Sequence, residues 1–393
     1  MKKLLSVLLI LAMILSLASC GDSYELIPND HNNLESGDVG YTVAELTEAM
    51  GLGWNLGNTL DAPEGETAWG QPETTKAMFD KLKELGFNTV RVPVSWGKHT
   101  SGAPDYTIDD EWMNRVEEVV NYGLDNDMFI IINSHHDNDY YYPSKAHEEE
   151  SLNYIEKIWT QIAERFKDYD QHLIFQSMNE PRLTGTNYEW WLDENNQQCV
   201  ESLEVIMKMN QKFLDVVRAS GSRNSDRFLL LVSYCGSNTV PLSAKYSLPE
   251  DTVEGRLLLS VHAYSPYNFA FNGDTSFRSF GNSEKRDIDY MMTQLYNRYN
   301  DMGVGIIIDE MGAINKNNPY DRQDWGAYFV AKAKSLGMVC VWWDNGSTGT
   351  GEESFGLFDR RNLEVFSVGK SVYDGMMIGL ETPLDEIVPS KPE

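Results

Sequence analysis

Two glutamates close apolar segments of strand length, where a charged side chain is unusual. Residues 173–180 end in Asn-Glu before Pro181, and a proline cannot continue a β-ladder. Residues 303–310 end in Asp-Glu in the same way. An unpaired carboxylate is costly to bury, so two of them at the ends of buried strands indicate a site. Cleavage of an acetal needs a proton donor and an anion, and Glu180 and Glu310 could supply one each.

Other polar residues at the ends of apolar segments could bind a substrate. His262 and Tyr264 are two residues apart, so on a strand they share a face and can orient the carboxylates. Arg91 can keep a carboxylate ionised, because a nearby cation lowers its pKa. A single glutamate would be most simply a solvated acid, whereas this combination favours catalysis. The candidate substrate-binding residues are Asn55, Asn58, Arg91, His135, His136, Asn179, His262, Tyr264 and Trp343.

The His135-His136-Asp137 triplet could also indicate a metal site. Adjacent residues on a strand face opposite sides, so one strand offers at most His135 and Asp137 as ligands. Only His262 adds another histidine at a strand end. The pattern is compatible with a metal site but does not favour one. We expect neither a metal nor a cofactor.

Eight apolar segments alternate with amphipathic helical patterns. The predicted strands are 51–58, 87–94, 128–135, 172–180, 228–235, 257–264, 303–310 and 338–344, and three clear helical patterns cover 72–85, 148–169 and 197–220. This alternation is typical of parallel strands buried on both faces. It predicts an α/β fold, a (β/α)8 TIM barrel forming a single catalytic domain over 41–380 and followed by a tail over 381–393. In such a barrel the strand ends named above meet at one mouth.

The composition restricts the partners. The chain has 393 residues with 32 basic and 60 acidic side chains, a net charge of −28. Such a surface repels phosphate backbones, so we expect no nucleic acid partner. The sequence also lacks the glycine-rich nucleotide-binding motifs. Aromatic residues in segments that follow predicted strands favour an open cleft for several sugar rings, although each ring alone is more often packing. They are Trp69, Tyr140, Tyr141, Tyr142, Trp190 and Trp191.

The N-terminus reads as a targeting segment. Lys2 and Lys3 precede an apolar stretch over 4–17, too short for an ordinary membrane span. Leu17-Ala18-Ser19-Cys20 resembles the lipobox of bacterial lipoproteins, in which the cysteine is acylated; a plain secretory signal is the alternative. We expect a signal peptide over 1–20, lipidation at Cys20, a flexible tether over 21–40, and an extracytoplasmic monomer held to the membrane only through its lipid.

The ordered set of motifs resembles glycoside hydrolase family 5, the cellulase family A. The motifs are Gly53-Trp54-Asn55-Leu56-Gly57-Asn58-Thr59, Arg91-Val92-Pro93-Val94-Ser95-Trp96, Asn133-Ser134-His135-His136-Asp137, Met178-Asn179-Glu180-Pro181, Val261-His262-Ala263-Tyr264, Ile308-Asp309-Glu310-Met311-Gly312 and Val341-Trp342-Trp343-Asp344-Asn345-Gly346. The resemblance covers about residues 41 to 380.

The resemblance implies a retaining mechanism with Glu180 as acid/base and Glu310 as nucleophile. It implies endo-cleavage of β-1,4-glucan of the plant cell-wall type, with xyloglucan or mixed-linkage glucan as further possible substrates. Two alternatives remain open at this stage. One is the same machinery acting on xylan or mannan; the other is a cell-surface glycan-binding protein without turnover. The loop over 266–285 carries no pattern that would decide the substrate.

Overall fold

The computed structural model describes residues 40–390. Eight parallel strands form one closed barrel in sequence order, with β8 pairing back to β1. The barrel strands are β1 (Leu52–Asn55), β2 (Thr89–Val92), β3 (Phe129–Ile132), β4 (Leu173–Gln176), β5 (Leu229–Leu231), β6 (Leu257–His262), β7 (Gly305–Met311) and β8 (Val339–Trp342). The prediction of a (β/α)8 TIM barrel is confirmed.

Nine α-helices occur in the described part of the chain. They are α1 (Val43–Met50), α2 (Lys76–Glu84), α3 (Asp110–Leu124), α4 (Glu148–Arg165), α5 (Gln197–Ala219), α6 (Tyr267–Ala270), α7 (Asn282–Tyr299), α8 (Pro319–Ser335) and α9 (Lys370–Glu381). A small antiparallel pair, β9 (Phe358–Asp359) and β10 (Glu364–Val365), precedes α9. The predicted helices over 148–169 and 197–220 are present, whereas the helix predicted from Pro72 begins only at Lys76.

Each predicted strand overlaps an observed strand. Seven observed strands end before their predicted ends, whereas β7 continues one residue further, to Met311. The β4 ladder stops at Gln176, four residues before Glu180, and β3 stops at Ile132, before both histidines. Residues beyond these ladders are mainly polar but remain buried, because the mouth of the barrel is also covered. Residues beyond the ladder are free of strand alternation, so consecutive side chains there can both reach the site.

The barrel interior is closed at the N-terminal ends of the strands. Alternate strand residues, among them Ile131, Ile174 and Ile307, pack together inside the barrel with Leu46 and Met50 of α1. The other strand faces pack against the surrounding helices in a larger cluster. With the bottom filled by aliphatic side chains, the polar residues collect at the opposite, C-terminal mouth.

The connection between β5 and β6 departs from the regular repeat. Residues 232–256 contain 3-10 turns at Tyr234–Gly236 and Val240–Leu242, and this stretch has no α-helix. Cys235, predicted to lie on a strand, is in the first turn with φ of 55°, so that prediction is wrong. Gly236 follows with φ of 59°, and a Cβ there would lie 2.8 Å from the His262 ring. The turn therefore places the backbone of Gly236 directly against the His262 ring, where a side chain would not fit.

The N-terminal predictions lie outside the described residues. These are the signal peptide over 1–20 with Cys20, and all of the 21–40 tether except Gly40. Within residues 40–390, none of the helices combines the length and apolar character that a membrane crossing needs. Cys199, Cys235 and Cys340 are free thiols, and Cys199 and Cys340 are buried. The predicted tail contacts α8 at its last described residue, because the Ser390 amide donates to Asp324 Oδ1 at 2.6 Å.

Candidate active site

Arg91 joins four strand ends at the mouth of the barrel. Its guanidinium is fully buried. Nη1 donates to Glu310 Oε1 and Asn55 Oδ1, both at 2.9 Å, and Nη2 donates to Asn179 Oδ1 at 2.7 Å. Nε donates to Gln176 Oε1 at 2.8 Å. The planar fork of an arginine suits this arrangement, because it reaches several acceptors in fixed directions.

A β-bulge directs two consecutive acids into the site. Between Ser260 and His262 on β6 there is one residue, whereas between their partners Ile307 and Glu310 on β7 there are two. A bulge of this kind breaks the strand alternation. Asp309 therefore reaches the interior below Glu310, and it accepts hydrogen bonds from the Ser260 hydroxyl at 2.8 Å and the Val261 amide at 3.0 Å.

His262 lies between the two glutamates. Its Nδ1 donates to Glu180 Oε1 at 2.8 Å and lies 3.5 Å from Glu310 Oε2. Tyr264, on the same side of the chain as predicted, donates its hydroxyl to Glu310 Oε2 at 2.9 Å. Potential ligand atoms of Glu180, His262 and Glu310 all lie within 4.8 Å of one another. The two carboxylates are therefore close neighbours.

The charges at this site are strongly coupled. Burial lowers the pKa of His262, but the charges of Glu310 and Asp309 and the hydrogen bond to Glu180 outweigh that and raise the pKa to about 10. His262 is therefore an imidazolium at neutral pH. Burial raises the pKa of Glu310 against the opposing charges of His262 and Arg91. For Glu180 burial acts in the same direction, but the hydrogen bond and charge of His262 together with the charge of Arg182 outweigh it and lower the pKa.

The opposite shifts describe one pair that shares a proton. Two carboxylates this close repel each other, so the second proton is lost with difficulty. The imidazolium of His262 and the guanidinium of Arg91 offset most of the remaining negative charge. The directions of the two shifts place the shared proton on Glu310 in this structure, so they indicate a pair that can act as one acid and one base without assigning which glutamate is which.

Neutral imidazoles and aromatic rings form a second wall of the site. His135 is buried and stacks parallel to Trp343, with centroids 5.7 Å apart. Asn133 donates to His135 Nδ1 at 3.1 Å, so the neutral ring carries its proton on Nε2. Burial lowers the pKa of His136 to about 4, and Trp69 packs on its ring at 5.3 Å. Both imidazoles can hydrogen-bond to a neutral sugar hydroxyl.

The predicted site residues differ in how closely they approach the glutamates. Hydrogen bonds join Asn55, Arg91, Asn179, His262 and Tyr264 to the pair or to each other. Trp342, the neighbour of Trp343, packs in the outer core instead of the site and donates to the Phe355 carbonyl. Asn58 lies in the turn after β1 with φ of 58°, where its backbone N–H donates to Asp61 Oδ2.

Two groups within residues 40–390 could geometrically hold a metal ion. One is the cluster of Glu180, His262 and Glu310, where the imidazolium already supplies the positive charge. The other is Asp61 with His135 and His136. Asp61 accepts backbone hydrogen bonds from the turn after β1, which accounts for its burial. The absence of a metal remains a prediction.

Sequence reasoning missed the layer below the glutamates. Gln176 accepts from Arg91 and donates to Asp309 Oδ2 at 2.6 Å, and Ser260 donates to the same carboxylate. Their signal was available, since Gln176 and Ser260 are polar residues inside otherwise apolar strands. Arg182 was also missed, although it lies two residues after Glu180.

Comparisons with known proteins agree with this geometry. Residues 55–349 match the cellulase family, glycosyl hydrolase family 5. The chain is 42% identical over 343 residues to endoglucanase A of Ruminococcus albus, covering 84% of this chain and 92% of that protein. A glycoside hydrolase 5 lichenase from Caldicellulosiruptor sp. F32, solved as a mutant with cellotetraose, superposes with a TM-score of 0.82 at 41% identity, covering 86% of this chain and 95% of that one.

A second solved structure is similar to the same degree. It is a GH5-4 broad specificity endoglucanase from Ruminococcus champanellensis with bound cellotriose, with a TM-score of 0.79 at 44% identity, covering 86% of this chain and 98% of that one. The match covers the strands that carry both glutamates, and the relatives share the fold across nearly their whole length. The chain therefore belongs to glycosyl hydrolase family 5 and is a glycosidase of the endo-β-1,4-glucanase class.

Proposed function

We propose that the protein cleaves β-1,4-glucan chains internally, with retention of configuration, using Glu180 as acid/base and Glu310 as nucleophile. The observation that carries this proposal is the close approach of the two carboxylates: an oxygen of Glu180 lies within 4.8 Å of an oxygen of Glu310, and His262 contacts both side chains. An inverting pair must leave room for a water and stands ~6.5–9.5 Å apart, whereas a retaining pair stands ~5–5.5 Å apart.

In the first step Glu310 attacks the anomeric carbon from the face opposite the leaving group. Arg91 and Tyr264 each donate to one oxygen of its carboxylate, which orients it and favours the ionised form. The bond to the leaving oxygen breaks as Glu180 transfers its proton to that oxygen. The product is a glycosyl ester of Glu310 and a free sugar chain end.

In the second step water takes the place of the leaving group. Glu180, now ionised, accepts a proton from the water as its oxygen attacks the anomeric carbon, and the ester bond to Glu310 breaks. His262 remains hydrogen-bonded to Glu180 and keeps this carboxylate in place. Positive charge developing at the anomeric carbon favours the arrangement in which Glu310 is ionised and the shared proton lies on Glu180.

The proposed substrate is a neutral glucan bound along an open cleft. Large aromatic side chains are exposed on three loops that leave the C-terminal ends of β1, β4 and β6, and they are Trp69, Trp190, Trp191, Tyr267 and Phe277. Flat rings on several loops can support several sugars along one chain. The names of the similar proteins, a lichenase and a broad specificity endoglucanase, support mixed-linkage glucan and related β-glucans as additional substrates.

Endo-action predicts a specific order of events on a soluble cellulose derivative, xyloglucan or lichenan. Viscosity should fall well before reducing ends accumulate, because internal cuts shorten chains before they release small products. Comparing both readouts on these glucans, xylan and mannan measures substrate preference in one series. Release of single sugars alone would contradict the open cleft, faster cleavage of xylan or mannan would contradict the glucan assignment, and binding without turnover would leave only a glycan-binding role.

We also propose that the enzyme is held at the outer face of a bacterial membrane through acylated Cys20. The lipobox-like sequence before this cysteine supports the proposal. Metabolic labelling with a palmitate analogue should mark the wild type and leave Cys20→Ser unmarked. Equal labelling of both proteins would contradict lipidation at this residue.

A further inference from the structure

Glu180 is held from two sides by cations. His262 donates to its Oε1 at 2.8 Å. On the other side, Nη1 of Arg182 lies 3.4 Å from Oε2 and donates to the Glu180 carbonyl at 3.0 Å. Nothing in the steps described above uses Arg182. Its place beside the second oxygen of the acid/base indicates a function of its own.

Arg182 is itself fixed by its surroundings. Its guanidinium carbon lies 4.2 Å from the centroid of the Trp190 ring, a cation–π geometry. Its Nε lies 3.5 Å from Glu189 Oε1, and Glu189 is anchored in turn by the Gly185 amide at 3.0 Å. The arginine therefore lies between the acid/base and an aromatic ring of the same loop.

Trp190 presents a second surface to solvent. The side chain is 64% exposed although one face of the ring carries the arginine. Glu180 protonates the leaving oxygen, so the residues grouped around its far side face the departing sugar. An exposed indole on that side is a platform on which a neutral sugar ring can stack.

We propose that Arg182 is a positioning residue that orients the Glu180 carboxyl group toward the leaving oxygen. Trp190 binds the leaving-group sugar on one face of its ring and, through the other face, holds Arg182 beside Glu180. This inference rests on the proposed assignment of Glu180 as acid/base. Arg182 favours the ionised form of Glu180, which the second step needs. During the first step, a sugar stacked on Trp190 keeps the arginine in place beside Glu180.

The titration of Glu180 depends on several charges that face it. His262 approaches from β6, Glu310 from β7, and His136 from the segment after β3. Other titratable side chains that interact with its charge are Tyr141, Cys235, Tyr264 and Glu353. Arg182 is opposed by Glu189, which competes for its charge. Removing the guanidinium should raise the proton affinity of Glu180, and removing Glu189 should lower it.

The test is the pH profile of kcat/KM on a cello-oligosaccharide. The basic limb of this profile reports the pKa of the group that must be protonated in the free enzyme, here the acid Glu180. Arg182→Met should move that limb upward by about one pH unit or more and reduce the maximum rate. Arg182→Lys keeps the charge and should stay near the wild type. Glu189→Gln should move the limb downward.

Trp190 and Trp191 provide a matched pair. Both are 64% exposed, but the Trp191 indole donates to the Asn187 carbonyl and does not carry Arg182. Trp190→Ala should raise KM and move the basic limb upward by less than Arg182→Met does. Trp191→Ala should leave the limb in place.

Two different failures can be told apart. The proposal is wrong if folded Arg182→Met keeps the wild-type basic limb, or if Trp190→Ala and Trp191→Ala have the same profile. Thermal melting of each variant, with Arg182→Lys as the conservative reference, shows whether the fold is intact. If Glu180→Ala retains the wild-type basic limb, the acid/base assignment itself fails and takes the proposal with it.

Discussion

Glu310→Ala should lose activity on every substrate, whatever its leaving group, by about 10⁴-fold or more, because the covalent route needs this carboxylate. Glu180→Ala should behave differently. It should lose about 10²–10⁴-fold on glucans and on glycosides of weakly acidic phenols, since these leaving groups need a proton. Glycosides of strongly acidic phenols leave unaided, so their first step should survive while the second step slows and the intermediate accumulates.

The measurement is kcat/KM for a series of aryl cellobiosides with graded leaving groups. Glu164→Ala is a suitable control, because Glu164 is an exposed acid at the end of α4 that pairs with Lys167. It removes the same charge far from the mouth of the barrel and should match the wild type. Equal leaving-group sensitivity in Glu180→Ala and Glu310→Ala would contradict the division of roles.

Arg91→Met should damage both activity and stability. The arginine bonds to Asn55, Gln176, Asn179 and Glu310, and without it the buried carboxylates of Glu310 and Asp309 lose a compensating charge. Removing one partner of a buried ion pair typically costs about 3–5 kcal/mol of unfolding free energy. Loss of the preorganised donor to the nucleophile should lower kcat/KM by about 10³-fold.

The pH profile adds a direction to this prediction. Without the cation, the pKa of Glu310 should rise, so the acidic limb of kcat/KM should move to higher pH because the nucleophile must be ionised. Arg91→Lys keeps a charge but presents it at one point. It should recover part of the stability measured by chemical denaturation and little of the activity. Wild-type kcat/KM in Arg91→Met would contradict the central position of this residue.

Much of this barrel could be predicted from the sequence, because both the individual strands and their arrangement in a barrel depend on hydrophobic patterning. Strands buried on both faces produce continuous apolar segments, and all eight were found. Their ends were less predictable. A segment such as 172–180 stays buried after the ladder stops at Gln176, although most of these last residues are polar, and only the hydrogen-bond pattern marks the boundary.

The residues nearest the chemistry could be predicted because charge is rare at strand ends. The layer beneath them was not assigned, although Gln176 and Ser260 are polar residues inside otherwise apolar strands, and for Asp309 the β7 bulge explains why. With regular alternation Asp309 would face away from Glu310, whereas the extra residue turns both acids inward. Arg182 was missed because its role depends on Trp190 and Glu189, and the shape of their loop is not set by any periodic pattern.

The most direct test of the central claim is the anomeric configuration of the glycosyl azide formed when azide is added to Glu180→Ala with an activated cellobioside. If Glu310 is the nucleophile, azide attacks the α-linked glycosyl-enzyme from the vacated acid/base side and yields the β-azide with faster turnover. In Glu310→Ala, any rescue should instead give the α-azide by direct displacement. An α-azide from Glu180→Ala and a β-azide from Glu310→Ala would show that the two glutamates have the opposite roles.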